Sequence, residues 1–140
     1  MTNEMEKLTV NLGIVDLAQI DVLVEQGIYS NRSDFIRTAI RKQLEVHQEK
    51  IERSLTPITG TEGGAGVSTV GIHYVSKEDL EEAFRDNGEK KIKISVIGML
   101  VVSCDVSAEL FTKTVARVIV RGKLVASSEI MKLIEKTNKH

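Results

Sequence analysis

The chain has 140 residues, which is enough for one ordinary domain or two small ones and excludes a large multidomain enzyme. Hydrophobic residues make up 41% of it and charged residues 28%, with a single proline, which is typical of a folded protein rather than a disordered or collagen-like one. The formal net charge is −1, so any positive charge that meets nucleic acid has to be concentrated locally.

Composition also indicates the cellular setting. Aromatic residues are scarce at 4%, with no tryptophan, which disfavours modules that stack single-stranded bases on exposed rings. The single cysteine, Cys104, cannot form an intramolecular disulfide. Met1 to Lys7 is polar and acidic, unlike a signal peptide, and no apolar run approaches the roughly 20 residues of a membrane span. We therefore expect a cytoplasmic protein.

The first predicted element is a short strand. Polar and apolar residues alternate from Lys7 to Leu12, which is the period of a half-buried strand, and Gly13 ends the pattern. A single strand attached to two helices has two open edges and cannot satisfy its own backbone. We expect it to pair antiparallel with the same strand of a second copy in an obligate homodimer.

Two helices are predicted after this strand. Apolar residues recur at helical spacing between Val15 and Gln26, and Gly27 stands where that helix should end. Asn31 can cap the second helix, with Asp34 at the third position of a capping-box arrangement. The second helix carries one apolar stripe: Phe35, Ile36, Ala39, Ile40 and Leu44. Ile51 and Leu55 can extend this stripe, and Pro57 is expected to end the helix.

The outer face of the predicted strand has the chemistry needed to bind DNA bases. Alternation turns the apolar residues toward the helices and places Lys7, Thr9 and Asn11 on the opposite face. The major groove of B-DNA admits a two-stranded ribbon, and these three side-chain types can hydrogen-bond to base edges there.

The stretch from Lys7 to Leu44 resembles a ribbon-helix-helix DNA-binding domain of the Arc/MetJ/CopG type. The resemblance rests on the alternating strand, the break at Gly27 and the sequence Ser30-Asn31-Arg32-Ser33-Asp34-Phe35-Ile36-Arg37, which is similar to the helix-two entry of the nickel-responsive branch. It implies that Lys7, Thr9 and Asn11 contact bases, and that Asn31, Arg32 and Ser33 contact DNA phosphates.

Helix physics favours the same phosphate site, because free N–H groups and the positive end of the helix dipole attract anions. Arg32 is expected to add a mobile charge there. Residues 1–55 nevertheless contain seven Lys or Arg and nine Asp or Glu, so the domain is net acidic. We expect weak non-specific binding and an affinity that falls steeply with salt.

Residues 56–69 are rich in threonine and glycine, which predicts a flexible linker. Beyond the linker, three segments share a glycine, an apolar run and a serine at the same offsets: Gly71-Ile-His-Tyr-Val-Ser76, Gly98-Met-Leu-Val-Val-Ser103 and Gly122-Lys-Leu-Val-Ala-Ser127. They are either an internal repeat or a chance similarity among strand-to-helix turns. Each precedes a helical pattern, roughly over Lys77 to Arg85, Ala108 to Thr114 and Glu129 to Glu135. The predicted amino-terminal caps of these helices are serines: Ser76, Ser107 and Ser128.

This alternation predicts crossover connections and parallel strands. The expected fold is therefore α+β: a β-α-α ribbon-helix-helix domain over residues 1–55 that forms an intertwined dimer, the linker, and a small α/β domain of strand-helix units over residues 70–140.

No catalytic, metal or cofactor site is expected in the second domain. His73, Cys104 and His140 are its only histidine or cysteine residues, and the multi-histidine pattern of the nickel-responsive relatives is absent. We expect Cys104 to behave as a small buried hydrophobe. The alternating Lys90 to Ile94 segment predicts a strand with a basic face, which is either a solvated or edge-protecting face or an auxiliary phosphate contact.

These features predict a homodimeric or higher-order transcriptional regulator, a repressor by family habit, whose partner is double-stranded DNA. The second domain can join dimers into larger oligomers or bind a small effector. Two alternatives are an antitoxin that autoregulates its operon and a self-assembling structural protein in which strand-helix units stack end to end.

Overall fold

A computed structural model of the chain describes residues 5–55 and 66–138. The chain divides into two compact units, Met1–Gln48 and Glu49–His140. The described residues form these elements in chain order: α1 (Ile14–Glu25), α2 (Arg32–Val46), α3 (Gln48–Arg53), β1 (Gly66–Val75), α4 (Lys77–Asn87), β2 (Ile92–Val102), α5 (Ala108–Thr114), β3 (Val115–Val125) and α6 (Ser128–Asn138).

The first unit contains α1 and α2, which form where the sequence predicts them. The residues before α1, from 5 to 13, have no regular secondary structure in the single chain. The predicted strand from Lys7 to Leu12 is therefore not observed as a strand. A strand needs a partner backbone, so the ribbon stays a prediction about the dimer.

The start of α2 is fixed by its cap. The Asn31 side-chain oxygen accepts a hydrogen bond from the Asp34 backbone N–H at 2.9 Å. The Asp34 carboxylate in turn accepts from the Ser30 backbone N–H at 3.1 Å. The rings of Tyr29 and Phe35 meet edge to face with their centroids 5.1 Å apart, across the same turn. The predicted cap at Asn31 is confirmed, with the return bond made to Ser30.

The second helix is shorter than its apolar stripe suggested. It ends at Val46; the next residue, His47, has φ −105° and ψ 8°, and a separate short helix, α3, follows. Residues 47–50 contain no apolar side chain, so nothing continues the packed face that supports a helix in a protein. Pro57, which was expected to end the helix, lies outside the described residues.

The second unit is a three-stranded parallel sheet with α4, α5 and α6 packed on one face. The strand order is β1-β2-β3, as strand-helix alternation predicts for successive crossovers. The hydrophobic core draws on all three helices, through Leu80, Phe111 and Ile130, and on the inward side chains of β2 such as Val96 and Leu100.

The three glycines of the predicted repeat lie in one row across the sheet. Gly71 pairs with Gly98, and Gly98 pairs with Gly122. All three have φ between 122° and 135°, a region that L side chains rarely adopt. The three segments are therefore structurally equivalent.

The strand boundaries differ from those that the sequence suggested. The first strand begins at Gly66, so residues 66–69 of the predicted linker belong to β1, where Ser68 pairs with Ser95. Small and polar residues suggested a linker there, but pairing with β2 gives their backbone groups partners. The rest of the predicted linker, residues 56–65, lies outside the described residues.

Candidate nucleic-acid interface

The segment that precedes α1 is exposed on every side in the single chain. Lys7, Thr9 and Asn11 are exposed, as the predicted base-contacting face requires. The apolar residues between them are exposed as well, with Leu8 at 79%, Val10 at 59% and Leu12 at 42% of their full accessibility. Several large apolar side chains exposed together indicate a surface that a partner covers.

A groove between α1 and α2 offers a further apolar surface. Its volume is about 410 Å³, and its lining includes Leu12, Leu23, Phe35 and Ile40. Ile20 is the only buried residue among residues 5–48. No residue of α2 is buried, although the helix carries an apolar stripe. An amphipathic helix normally buries that stripe, so the first unit lacks part of its core as a single chain.

The amino end of α2 carries the predicted phosphate contacts. Asn31, Arg32 and Ser33 are all exposed there. The oxygen of the Asn31 side chain already accepts from Asp34, so toward an anion Asn31 can offer its amide N–H₂ group. The first backbone N–H groups of a helix have no intrahelical partner, which makes this end a favourable place for an anion.

The guanidinium of Arg32 is held by α1 and is not the mobile charge that the sequence suggested. Its Nε donates to Asp21 Oδ1 at 2.6 Å, and its Nη2 donates to Asp21 Oδ2 at 2.7 Å. The hydrogen bond from Arg32 lowers the pKa of Asp21, and the same bond raises the pKa of Arg32. Sequence analysis missed this pair because its members lie eleven residues apart across a turn, where no helical period relates them.

The second unit contains a cavity of about 380 Å³ lined by residues of β1, α4 and β2. His73 lines it, together with the carboxylates of Asp79, Glu82 and Asp86. Hydrogen bonds from the Ser76 side chain and backbone lower the pKa of Asp79, and His73 adds a smaller effect in the same direction. The apolar part of the lining includes Leu80.

The remaining histidine and cysteine positions are not brought together. Cys104 is exposed, so the expectation that it is buried was wrong. It lies in a turn two residues after Val102, the last residue of β2, where the apolar run has already ended. His140 lies outside the described residues. Within residues 5–55 and 66–138, no three His, Cys, Asp or Glu side chains form a group that could hold a metal ion.

The described residues also answer two expectations from the sequence, on membrane spans and on the Lys90 to Ile94 segment. None of their helices is long and apolar enough to cross a membrane. In the Lys90 to Ile94 segment, Ile92 and Ile94 are buried and Lys93 is half-buried, so the predicted alternation is confirmed as the start of β2. Because β2 is the central strand and pairs with β1 and β3, the interpretation of this basic face as edge protection was wrong.

Comparison with known proteins identifies the family. Residues 3–131 match the model of the Ribbon-Helix-Helix transcriptional regulator family. The chain is also similar to the transcriptional regulator CdrS of Halobacterium salinarum, with 33% identity over 46 residues, which is 33% of this chain and 84% of that protein. No solved structure matches the chain significantly. Both matches are to transcriptional regulators rather than enzymes. Because the family model covers most of the sequence, the chain belongs to the ribbon-helix-helix transcriptional regulator family.

Proposed function

We propose that this protein is a sequence-specific DNA-binding repressor that inserts a two-stranded antiparallel ribbon into the major groove. The observation that carries the proposal is the exposure of residues 7–12: polar and apolar side chains alternate along this segment, and all of them are exposed. A partner strand from a second copy gives this segment both a hydrogen-bonding edge and a cover for its apolar side.

The groove between α1 and α2 supports a homodimer. A second copy that contributes its own ribbon strand and helices buries the apolar stripe that α2 leaves exposed. Burial of apolar area is the main favourable term in association, at about 25 cal/mol per Å² before the costs of binding are subtracted. The unfilled groove therefore accounts for why the first unit has so little core alone.

The polar face of the ribbon supplies the base contacts. In the dimer Lys7, Thr9 and Asn11 repeat across the two-fold axis, which gives six side chains on one ribbon face. A lysine can donate to guanine, an asparagine can bond to adenine in two places, and a threonine can contact either base edge or a thymine methyl. The dimer symmetry calls for an operator with two related half-sites.

The amino end of α2 positions the ribbon. Backbone N–H groups of Arg32 and Ser33 and the Asn31 amide can bind phosphate oxygens on either side of the groove. Repression then needs no catalysis, since a dimer seated on a promoter excludes other proteins from the same DNA.

The ribbon is tested by fluorescence anisotropy with DNA from upstream of the protein's own gene. Thr9→Ala/Asn11→Ala removes two contacts from each chain, and a good base contact contributes about 1–3 kcal/mol. We expect specific affinity to fall by at least about a hundredfold. Thr38→Ala, which removes a threonine from the side of α2 opposite the apolar stripe, should bind as the wild type does. Equal binding by the double variant and the wild type, with both dimeric, would refute base contact by the ribbon.

The Arg32 contact has a separate test in Asp21→Asn. This change removes the negative charge that holds the guanidinium, so Arg32 becomes available to phosphate. We expect tighter binding at low salt and a plot of log K against log salt that is steeper by about one for each additional phosphate that the protein binds. Glu25→Gln removes the same charge from α1 and controls for net charge. An unchanged slope in Asp21→Asn would show that Arg32 does not contact phosphate.

The structure of the second unit bears on the antitoxin alternative. Antitoxin tails that neutralise a toxin are generally disordered until they bind it. Here the residues after the linker form a sheet with a buried core of their own. This observation favours a regulator with a folded accessory domain.

A further inference from the structure

The glycine row shows how each strand of the sheet meets the next. A Cβ atom on Gly98 would overlap the carbonyl oxygen of Gly71 and lie 2.9 Å from its carbonyl carbon. A Cβ atom on Gly122 would meet the carbonyl group of Gly98 in the same way. The two boundaries inside the sheet are therefore built alike, with the carbonyl of one strand seated against the glycine of the following strand.

The same place beside Gly71 is empty. Its φ of 122° is close to that of the other two glycines, yet a Cβ atom there would meet no atom of the described residues within 4 Å. Among the described strands β1 pairs only with β2, so its other edge is open. The row of glycines thus ends at a position with the conformation needed to receive another carbonyl.

The open edge of β1 has none of the features that discourage strand pairing. Its ten residues include no Lys, Arg, Asp, Glu or Pro. Three of its apolar side chains are also exposed: Val70, Ile72 and Tyr74. A long, uncharged and exposed edge strand is a template for another strand.

We propose that the β1 edge receives β3 of a second copy of this chain, parallel and in the register that places Gly122 of that copy opposite Gly71. The contact is head to tail, because it uses different surfaces on the two copies. It repeats between chains the boundary that β1 and β2, and β2 and β3, already form within one chain. It goes beyond the proposed DNA binding and does not depend on it.

Side chains fit this register. The internal pairing places Arg121 beside Ile97, and Ile97 beside Val70. In the extended sheet, Arg121 of the second copy lies beside Val70, another aliphatic residue. Arg121 therefore has an aliphatic neighbour on each side, Ile97 in its own chain and Val70 in the other copy. Its aliphatic stem can cover the exposed valine while its charge stays in water.

Charge on α4 favours this contact over a symmetric one in which β1 meets β1. The side of α4 next to the β1 cavity carries the carboxylates of Asp79, Glu82 and Asp86. A symmetric contact would bring two such sets together and they would repel each other. In the head-to-tail contact the neighbouring helix is α6, which exposes two lysines and two glutamates and so brings no net negative charge to the contact: Glu129, Lys132, Glu135 and Lys136.

A head-to-tail contact leaves an open β1 at one end and an open β3 at the other. Such an interface produces rings when the rotation closes and open chains when it does not. We take this contact to be of the open kind, so assembly continues with rising protein concentration and dimers held through their first units are linked into larger arrays. Neighbouring DNA sites would then be occupied together through effective concentration.

The test is sedimentation velocity of the full chain without DNA across a wide concentration range. Val70→Lys places a like charge beside Arg121 of the incoming copy, so we expect oligomers larger than the dimer of first units no longer to form as concentration rises. Val70→Lys/Arg121→Glu puts opposite charges at the same contact, so growth should return. Both positions are exposed, Val70 at 42%, and thermal unfolding followed by circular dichroism checks that each variant is folded.

Phe84→Lys is the matched control, because Phe84 is 43% exposed on α4 beside a pocket that Leu110 of α5 also lines. It should assemble as the wild type does. A wild-type chain of one size at all concentrations would overturn the proposal, and so would growth of Val70→Lys or a loss of growth in Phe84→Lys. Failure of the charge-reversed double variant to regain growth would also overturn it, since only a contact between β1 and β3 predicts rescue.

Discussion

Gly98→Ala is expected to abolish the fold of the second unit, whereas Gly71→Ala is expected to leave it folded with reduced stability. Both glycines have a strongly positive φ, so an alanine at either position carries backbone strain of about 1–3 kcal/mol. Only at Gly98 does the added methyl group also overlap a backbone carbonyl of the next strand.

Backbone in the middle of a paired sheet cannot move away cheaply. Displacing the carbonyl of Gly71 breaks the pairing of β1 with β2 next to Leu100, which is fully buried. We expect the total cost at Gly98 to exceed about 4 kcal/mol, a large part of the roughly 5–15 kcal/mol that stabilises an ordinary domain.

Chemical denaturation followed by circular dichroism at low protein concentration measures the difference. Gly71→Ala provides the control for strain alone, because the space around it is open. Equal destabilisation by the two substitutions would contradict the close approach of strands at the glycine row. A Gly122→Ala chain should behave like Gly98→Ala, since it meets the carbonyl of Gly98 in the same way.

These glycines also show how far sequence reasoning reached in the second unit. Their recurrence before an apolar run and a serine predicted equivalent strand-helix units, and the register confirms the equivalence. The same reasoning located two of the three serine caps, since Ser76 and Ser107 each accept from a backbone N–H three residues on. The third was wrong by one residue: Ser128 is the first residue of α6, and Ser127 accepts from the Ile130 N–H. Local motifs of this kind are predictable because the interacting groups lie within a few residues of one another.

The parts that could not be predicted depend on contacts between distant residues. The start of β1 at Gly66 follows from pairing with β2 rather than from the composition of residues 66–69. The pair between Asp21 and Arg32 depends on how α1 and α2 meet across a turn. Periodicity describes one element at a time, so it predicts neither the start of β1 nor the pair between α1 and α2.

The ribbon strand was predictable from alternation alone, but a single chain lacks the second strand that the ribbon needs. Alternation from Lys7 to Leu12 predicts a strand and at the same time predicts that the strand lacks a partner. The exposed segment and the unfilled groove in the first unit agree with that second expectation. What a second copy adds is tested most directly in the groove itself.

Ile40→Glu is expected to dissociate the dimer and to abolish DNA binding. Ile40 lines the groove and is 49% exposed in the single chain, so a monomeric protein should tolerate the change within about 0.5 kcal/mol. In a dimer that closes the groove, the glutamate becomes a buried charge without a partner, which costs several kcal/mol in each copy. Without the dimer no two-stranded ribbon forms, so specific binding is lost together with it.

Sedimentation and operator binding should be measured in a Val70→Lys background, where association through the second unit is blocked. Arg41→Gln makes the same change in net charge on α2 at an exposed position on the side opposite the apolar stripe, and it should remain dimeric. The second unit should keep its cooperative unfolding in Ile40→Glu, because its core contains no residue of the first unit. An Ile40→Glu chain that stays dimeric and binds its operator would contradict closure of the groove by a second copy, and the ribbon pairing that depends on it would have to be abandoned.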